Sequence, residues 1–197
     1  MKINFLTIVT AGILLLARAE AGELQVGFAQ LSITPDLIDQ WVDINNDAQF
    51  DPDIDLWTDV NGNEKFDAVW MAGFQKKRPA QGIKDDLMAV AVVIDDGINR
   101  IGIVSADTVG LMRKFVIDIR EAVPTNWGLD YLMVHATHNH EGPDTQGLWG
   151  PGFFTSGIDP DYMAQLQQNI LDALSEAIDN LEPAQMSMAR IPTNPLT

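Results

Sequence analysis

The chain contains no cysteine, which excludes a disulfide framework, a thiolate metal site, a cysteine nucleophile and a lipoprotein attachment. Cations are scarce as well: 12 Lys and Arg stand against 28 Asp and Glu, for a net charge of −16. That balance argues against nucleic acid as a partner, because phosphate backbones are held by clustered cations. It suits export, solubility or the binding of hard cations. Histidine is rarer still, with three in 197 residues. They stand at 135, 138 and 140, inside "YLMVHATHNHEGPDTQGLW", which runs from Tyr131 to Trp149. One imidazole can serve a core, but three at the end of one apolar run point to chemistry.

What is present is a core-forming composition, 46% hydrophobic, in a length that fits one substantial domain or a large part of one. The first residues read as a targeting segment. Lys2 supplies a positive start, "INFLTIVTAGILLLA" an apolar run, and small residues precede a cut after Ala19 or Ala21. A signal peptide over 1–19 is expected, with retention as a membrane anchor the alternative; the run is short for a span. The expected location is bacterial, either periplasmic or secreted.

Over 24–197, strand and helix patterns intermix. "ELQVGFAQLSITP" predicts a strand, "DLMAVAVVIDDG" and "NRIGIVSAD" a hairpin, and "LDYLMVHATH" another strand. "GLMRKFVIDIREAV" carries apolar residues at helical spacing. The stretch after Asp159 is the clearest helix, with Asp159 as cap, Pro160 at its first position and a stripe at 163, 166, 170, 174, 178 and 181. "AQMSMARI" alternates like a final strand. The class is α/β or α+β with a mixed sheet and packed helices. The chain stops at "PTNPLT" without a closing element, as the N-terminal part of a larger catalytic domain would.

Read as one strand, "YLMVHATHNH" places 132, 134, 136, 138 and 140 on one face and 133, 135 and 137 on the other. His138 and His140 then converge, while His135 points away. Gly142 and Pro143 end the strand and leave the pair at a sheet rim, where pockets form. The plainer alternative is hydrogen-bonded edge histidines that hold no ligand.

"HATHNHEGPD" resembles the A-T-H-[TN]-H-[SA]-G-P motif of the neutral/alkaline, non-lysosomal ceramidase family. "VGFAQLSITP" is similar to that family's opening strand, with Ser32 where aspartate is common. "GIKDDLMAVAVVIDDG" and "IGIVSADTVGL" resemble two further segments, with Val90 in place of the usual arginine. The resemblance runs from about residue 26 to 145 in the right order. It implies a zinc amidase that splits the N-acyl bond of ceramide, a lipid met at a membrane surface. It also implies His138 as a zinc ligand and His140 as a catalytic residue beside the metal, assisting proton transfer or holding substrate. His135 falls where serine is common and receives no role. Asp107 is a candidate for orienting an imidazole, or else a strand-end residue capping a turn. Glu141 reads as solvated. The family's other ligands and its catalytic serine come later in longer chains, so this stretch alone is expected to have little amidase activity. The alternatives are a metallohydrolase of the same scaffold acting on another amide or ester, and a secreted calcium-binding adhesion protein.

Between 43 and 67 the chain is acidic and Asn-rich. "DINNDAQFD" and "DVNGNEKFD" share the pattern D-x-N-x-[DN]-x-x-x-D. Asp43, Asn45, Asp47 and Asp51 in the first copy, and Asp59, Asn61, Asn63 and Asp67 in the second, offer oxygens at the spacing of a Ca²⁺ loop. Asp53 and Asp55 could complete either. No glutamate stands at the twelfth position, so this is not an EF-hand. The alternative is a solvated loop that binds nothing.

Overall fold

A computed structural model describes residues 22–190; the expected signal peptide and the last seven residues lie outside them. Four long strands form the sheet: β1 (Gln25–Ser32), β4 (Met88–Asp95), β5 (Arg100–Ala106) and β6 (Tyr131–Ala136). With a short edge strand, β7 (Glu182–Pro183), the order is β6-β5-β4-β1-β7. β1, β4 and β5 pair antiparallel, and so do β1 and β7, whereas β5 and β6 run parallel. The fold is α+β with a mixed sheet.

The β4–β5 hairpin follows from its turn chemistry. Gly97 takes φ +81°, and the Asp96 carboxylate accepts the N–H groups of Ile98 and Asn99. Asp95 accepts the Gly97 N–H and pairs with Arg100 at 2.7 Å. The amide first and the guanidinium second hold its carboxyl below the usual range. The parallel β5–β6 step needs a crossover, which helix α1 (Arg113–Ala122) supplies.

Helix α2 (Pro160–Asp179) begins where the capping signal placed it: the Asp159 carboxylate accepts from the Asp161 and Tyr162 N–H groups. It buries Tyr162, Leu166, Ile170, Ala173, Leu174 and Ala177 against β1, β4 and β5. Ala29, Ala89 and Ala91 on those strands let the helix approach closely, and Val93 and Val104 fill the gaps. Each fully buried Leu or Ile contributes about 1.5–3 kcal/mol. Polar ties fix the docking: Tyr162 Oη donates to the Ile33 carbonyl at 3.0 Å, and Asn169 Nδ2 to that of Ser32 at 2.8 Å.

Both helices cover one face, since Ile119 of α1 joins the same core. The register leaves two apolar rows on the other: Phe28–Val92–Ile103–Met133 and Val26–Ile94–Ile101–Tyr131. Phe28, Tyr131 and Met133 stand exposed there.

The structure corrects three expectations of local form. β6 ends at Ala136 rather than running through His140, because its parallel partner β5 ends at Ala106; His138 takes φ +66°. The alternation in "AQMSMARI" makes no strand: β7 pairs only beside Gln25 and Val26, at the sheet edge, and 184–190 has no regular element. The acidic stretch 43–67, which its lack of aliphatic periodicity marks as loop, contains β3 (Leu56–Thr58), paired antiparallel with β2 (Gln40–Val42) just before it.

Candidate metal centre

His138 and His140 do converge, by a route other than strand alternation. After β6 the chain stays bonded to the β5 exit, with the Thr137 N–H on the Ala106 carbonyl and the Asn139 N–H on that of Thr108. The left-handed turn at His138 then aims both rings at one point. His138 Nε2 and His140 Nε2 stand 3.2 Å apart, with the rings edge to face. His138 Nδ1 lies 2.7 Å from the Val109 carbonyl. A carbonyl can only accept, so Nδ1 carries the proton and Nε2 is left with a free lone pair. That is the tautomer a metal ligand needs, and the Val109 carbonyl holds the ring in place.

The spacing also fits. Two nitrogens each about 2.0–2.1 Å from one tetrahedral zinc stand about 3.3 Å apart. The residues present therefore suit half of a zinc site. His135 points elsewhere: it lies in β6 opposite Ser105, exposed, on the face away from the helices.

His140 is held from behind. Residues 70–72 pair with 142–144 through the Ala72 N–H to the Gly142 carbonyl and the Asp144 N–H to the Trp70 carbonyl. This brings Gly73 and Phe74 against the imidazole, whose ring meets Phe74 edge-on at 5.5 Å. Arg78 ties the assembly together. Its Nη2 donates to the Ala72 and His140 carbonyls, its Nη1 pairs with Glu141 at 3.2 Å, and its guanidinium stacks on Phe74.

A third protein ligand does not converge on the pair: among the described residues no three His, Asp or Glu side chains are placed to share a metal. Glu141 is exposed to solvent and also pairs with Arg78. Asp107 accepts from the Met88 N–H and the Thr137 hydroxyl, joining the ends of β4 and β6, while the carbonyl of Val109 occupies the orienting position at His138. Buried Asp144 accepts from the N–H groups of Gln146, Gly147, Leu148, Trp149 and Gly157, which shapes the loop after the motif. A cavity of about 810 Å³ lies alongside. Thr137, Asn139 and Glu141 line it with Asp107 and Met71; neither His138 nor His140 does.

The acidic segment is a duplication wider than the two short motifs. "DQWVDINNDAQFD" (39–51) and "DLWTDVNGNEKFD" (55–67) repeat Asp, Trp, Asp, Asn, Phe and Asp in register. Trp41 and Trp57 face each other across the β2–β3 ribbon. In both copies the leading loop aspartate takes the amides four and five residues on, Asp47 and Ala48 for Asp43 and Asn63 and Glu64 for Asp59, which also takes that of Gly62. Asn46 and Gly62 both take positive φ, as do Ala48 and Glu64. Each loop is closed by a buried aspartate from the other copy. Asp55 accepts from Ile44 and Asp51, and Asp39 accepts from Val60 and Asp67. Asn45 Nδ2 donates to Asp47, and Asn61 and Asn63 Nδ2 both donate to Asp67. With Phe50 and Phe66 packed between the tryptophans, the segment is ordered by its own contacts.

No family model matches the chain, and no curated protein matches it. Solved structures do. A neutral ceramidase from Pseudomonas aeruginosa matches with a TM-score of 0.58 at 16% identity, over 83% of this chain and 23% of that one. A ceramidase complexed with C2 matches with a TM-score of 0.55 at 18% identity, over 82% and 22%. The fold is ceramidase-like. The chain spans less than a quarter of the length of these ceramidases.

Within this ceramidase-like fold, several residues that hold the imidazoles carry weak sequence signals. The Val109 carbonyl is backbone and leaves none. Gly73, Phe74 and Arg78 sit in "MAGFQKKRPA", where three consecutive cations in an acidic chain were the available hint. Asp39, unlike the already named Asp55, was findable only by extending the Asp/Asn repeat backwards through the tryptophans.

Proposed function

We propose that this chain is the N-terminal part of a secreted, zinc-dependent hydrolase that cleaves the N-acyl bond of ceramide or a related lipid. The observation that carries the reading is the pair of Nε2 atoms 3.2 Å apart, with Val109 fixing the His138 tautomer, in a ceramidase-like fold. His138 would hold the metal. His140 faces the same point, where it takes a second metal position or passes a proton to the leaving amine; metal content of His140→Ala separates the two. Zinc, when bound, supplies polarisation of the amide carbonyl and an acidified water. Water adds across the C–N bond, giving a fatty acid and an amine. Phe74 and the Arg78 bonds keep the His140 backbone from drifting.

A catalytic zinc normally has three protein ligands, and among the described residues no third joins the pair, so the proposal draws the remainder of the site from polypeptide outside this chain. The open apolar rows on the second sheet face support that reading, because sheets that bury both faces read as continuous apolar runs. Asp107 belongs to the proposal as a brace for Thr137 rather than for an imidazole. Export through the segment 1–19 belongs to it as well.

The test is hydrolysis of a fluorescent N-acyl sphingosine by the full-length protein in which the chain occurs, with and without zinc. Zinc-dependent release abolished by His138→Ala supports the proposal. Turnover of other amides or esters with none of ceramide favours a different metallohydrolase on this scaffold. Robust hydrolysis by the 197-residue chain alone would sink the fragment reading.

We also propose that the duplicated loops take calcium, through Asp43, Asn45, Asp47 and Asp51 and their counterparts Asp59, Asn61, Asn63 and Asp67. The matching backbone of the two copies supports it.

A further inference from the structure

The loop after the histidine motif carries a feature that folding does not explain. Gly152 and Thr155 bridge, leaving Phe153 and Phe154 as the two central residues of a tight turn. Turn centres normally hold Gly, Asn, Asp, Pro or Ser. Here two aromatic rings stand edge to face, 78% and 95% exposed. They are not isolated. Leu148 and Phe74 are also more than half exposed. Contacts join them: Trp149 Nε1 donates to the Phe74 carbonyl, Lys76 Nζ donates to that of Leu148, and the Lys76 ammonium lies over the Phe153 ring. Phe74 in turn meets His140. An apolar-aromatic rim thus starts at the imidazole pair and ends at the turn.

Its charge runs against that of the chain. The Lys76 ammonium lies within it, in a molecule of net charge −16. Aromatic rings with ammonium groups between them suit the interface of a bilayer, where the rings enter the acyl boundary and the cations meet phosphate.

We propose that this rim is the surface by which the protein rests on a lipid bilayer, with Phe153 and Phe154 inserted and Lys76 against a phosphate headgroup. The choice of a bilayer as occupant rests on the lipid-hydrolase reading. The rim's contact with His140 places the imidazole pair at the membrane surface.

The test is co-sedimentation of the full-length protein in which the chain occurs, lacking the segment 1–19, with vesicles of phosphatidylcholine, alone or with a minority of phosphatidylglycerol. Wild type, the double variant Phe153→Ser/Phe154→Ser and Lys76→Gln are compared, with zinc titration and circular dichroism of each. Binding of the wild type, weakened at least about a hundredfold in the double variant, is expected. Lys76→Gln should lose the preference for phosphatidylglycerol and keep binding to phosphatidylcholine. No binding of the wild type, or equal binding by the double variant, overturns the proposal. A wild-type dimer that the double substitution dissolves, without vesicle binding, also overturns it and assigns the rim to a second copy. Zinc binding that persists when vesicle binding fails shows that the docking surface, and not the hydrolase reading, is at fault.

Discussion

Gly73 is the position at which a single methyl group probes the site. Its φ is +105°, and a Cβ there would lie 2.4 Å from His140 Cβ, 2.5 Å from Cγ and 2.8 Å from Cα. Carbon atoms pack at about 3.5–4.0 Å, so Gly73→Ala forces His140 back by roughly 1 Å. Two costs follow. An L-residue on the left-handed side of the map costs about 1–2 kcal/mol, and overpacking typically costs about 1–3 kcal/mol. Metal binding suffers separately, because a bond of about 2.0–2.1 Å does not survive such a displacement. Gly62→Ala is the control: φ is +73°, yet nothing lies within 4 Å of the added Cβ. It carries the backbone cost without touching the imidazoles. Urea unfolding and zinc titration on both variants separate the effects. Both should lose stability, Gly73→Ala the more, and only Gly73→Ala should lose zinc affinity, by tenfold or more. Wild-type zinc affinity in Gly73→Ala, or an equal loss in Gly62→Ala, would refute the reasoning.

Tyr162→Phe leaves the Ile33 carbonyl without its buried donor and should cost about 1–2 kcal/mol in urea unfolding. Burial pushes the Tyr162 phenol above its ordinary value, so the folded state keeps a proton that the unfolded state gives up. Stability should therefore fall as pH rises from about 10, and less so in Tyr162→Phe. Asp95 is shifted the other way, downwards, and its contribution is present above about pH 4 and lost as pH falls through the folded value. Asp95→Asn should cost at most about 1 kcal/mol at neutral pH, and the difference from wild type should vanish in acid. If the duplicated loops take calcium, saturation at about a hundred times the dissociation constant adds roughly 2.7 kcal/mol. That raises the melting midpoint by about 5–10 °C over a chelator control; an unchanged midpoint counts against calcium.

Much of the fold was legible where local chemistry and periodicity agreed. α2 has a capping aspartate, a proline at its first turn and an apolar stripe, and each points to the same start. The β4–β5 hairpin has Gly97 between two Val- and Ile-rich runs. The end of β6 was not legible, because alternation continues through His140 while the pairing partner stops at Ala106. Strand length there is decided by the neighbour, not by the residues themselves. Convergence of His138 and His140 was nevertheless expected: a two-residue spacing brings the rings together in an extended strand and, here, across a left-handed turn. The bracing of the pair was not readable, since Val109 acts through its backbone and Arg78 acts from far along the chain. Asp107, Glu141 and Asp144, the acids nearest the motif, accept hydrogen bonds from donors that only the folded chain brings near.

Zinc titration of the purified chain, with His138→Ala, His140→Ala and His135→Ala alongside, tests the central claim most directly. The account predicts one zinc per chain, bound more weakly than at a complete three-ligand site, lost in His138→Ala and unchanged in His135→Ala, with His140→Ala weakening it where His140 takes the second metal position and sparing it where His140 serves only the proton. Zinc binding that survives His138→Ala, or that disappears with His135→Ala, would contradict it.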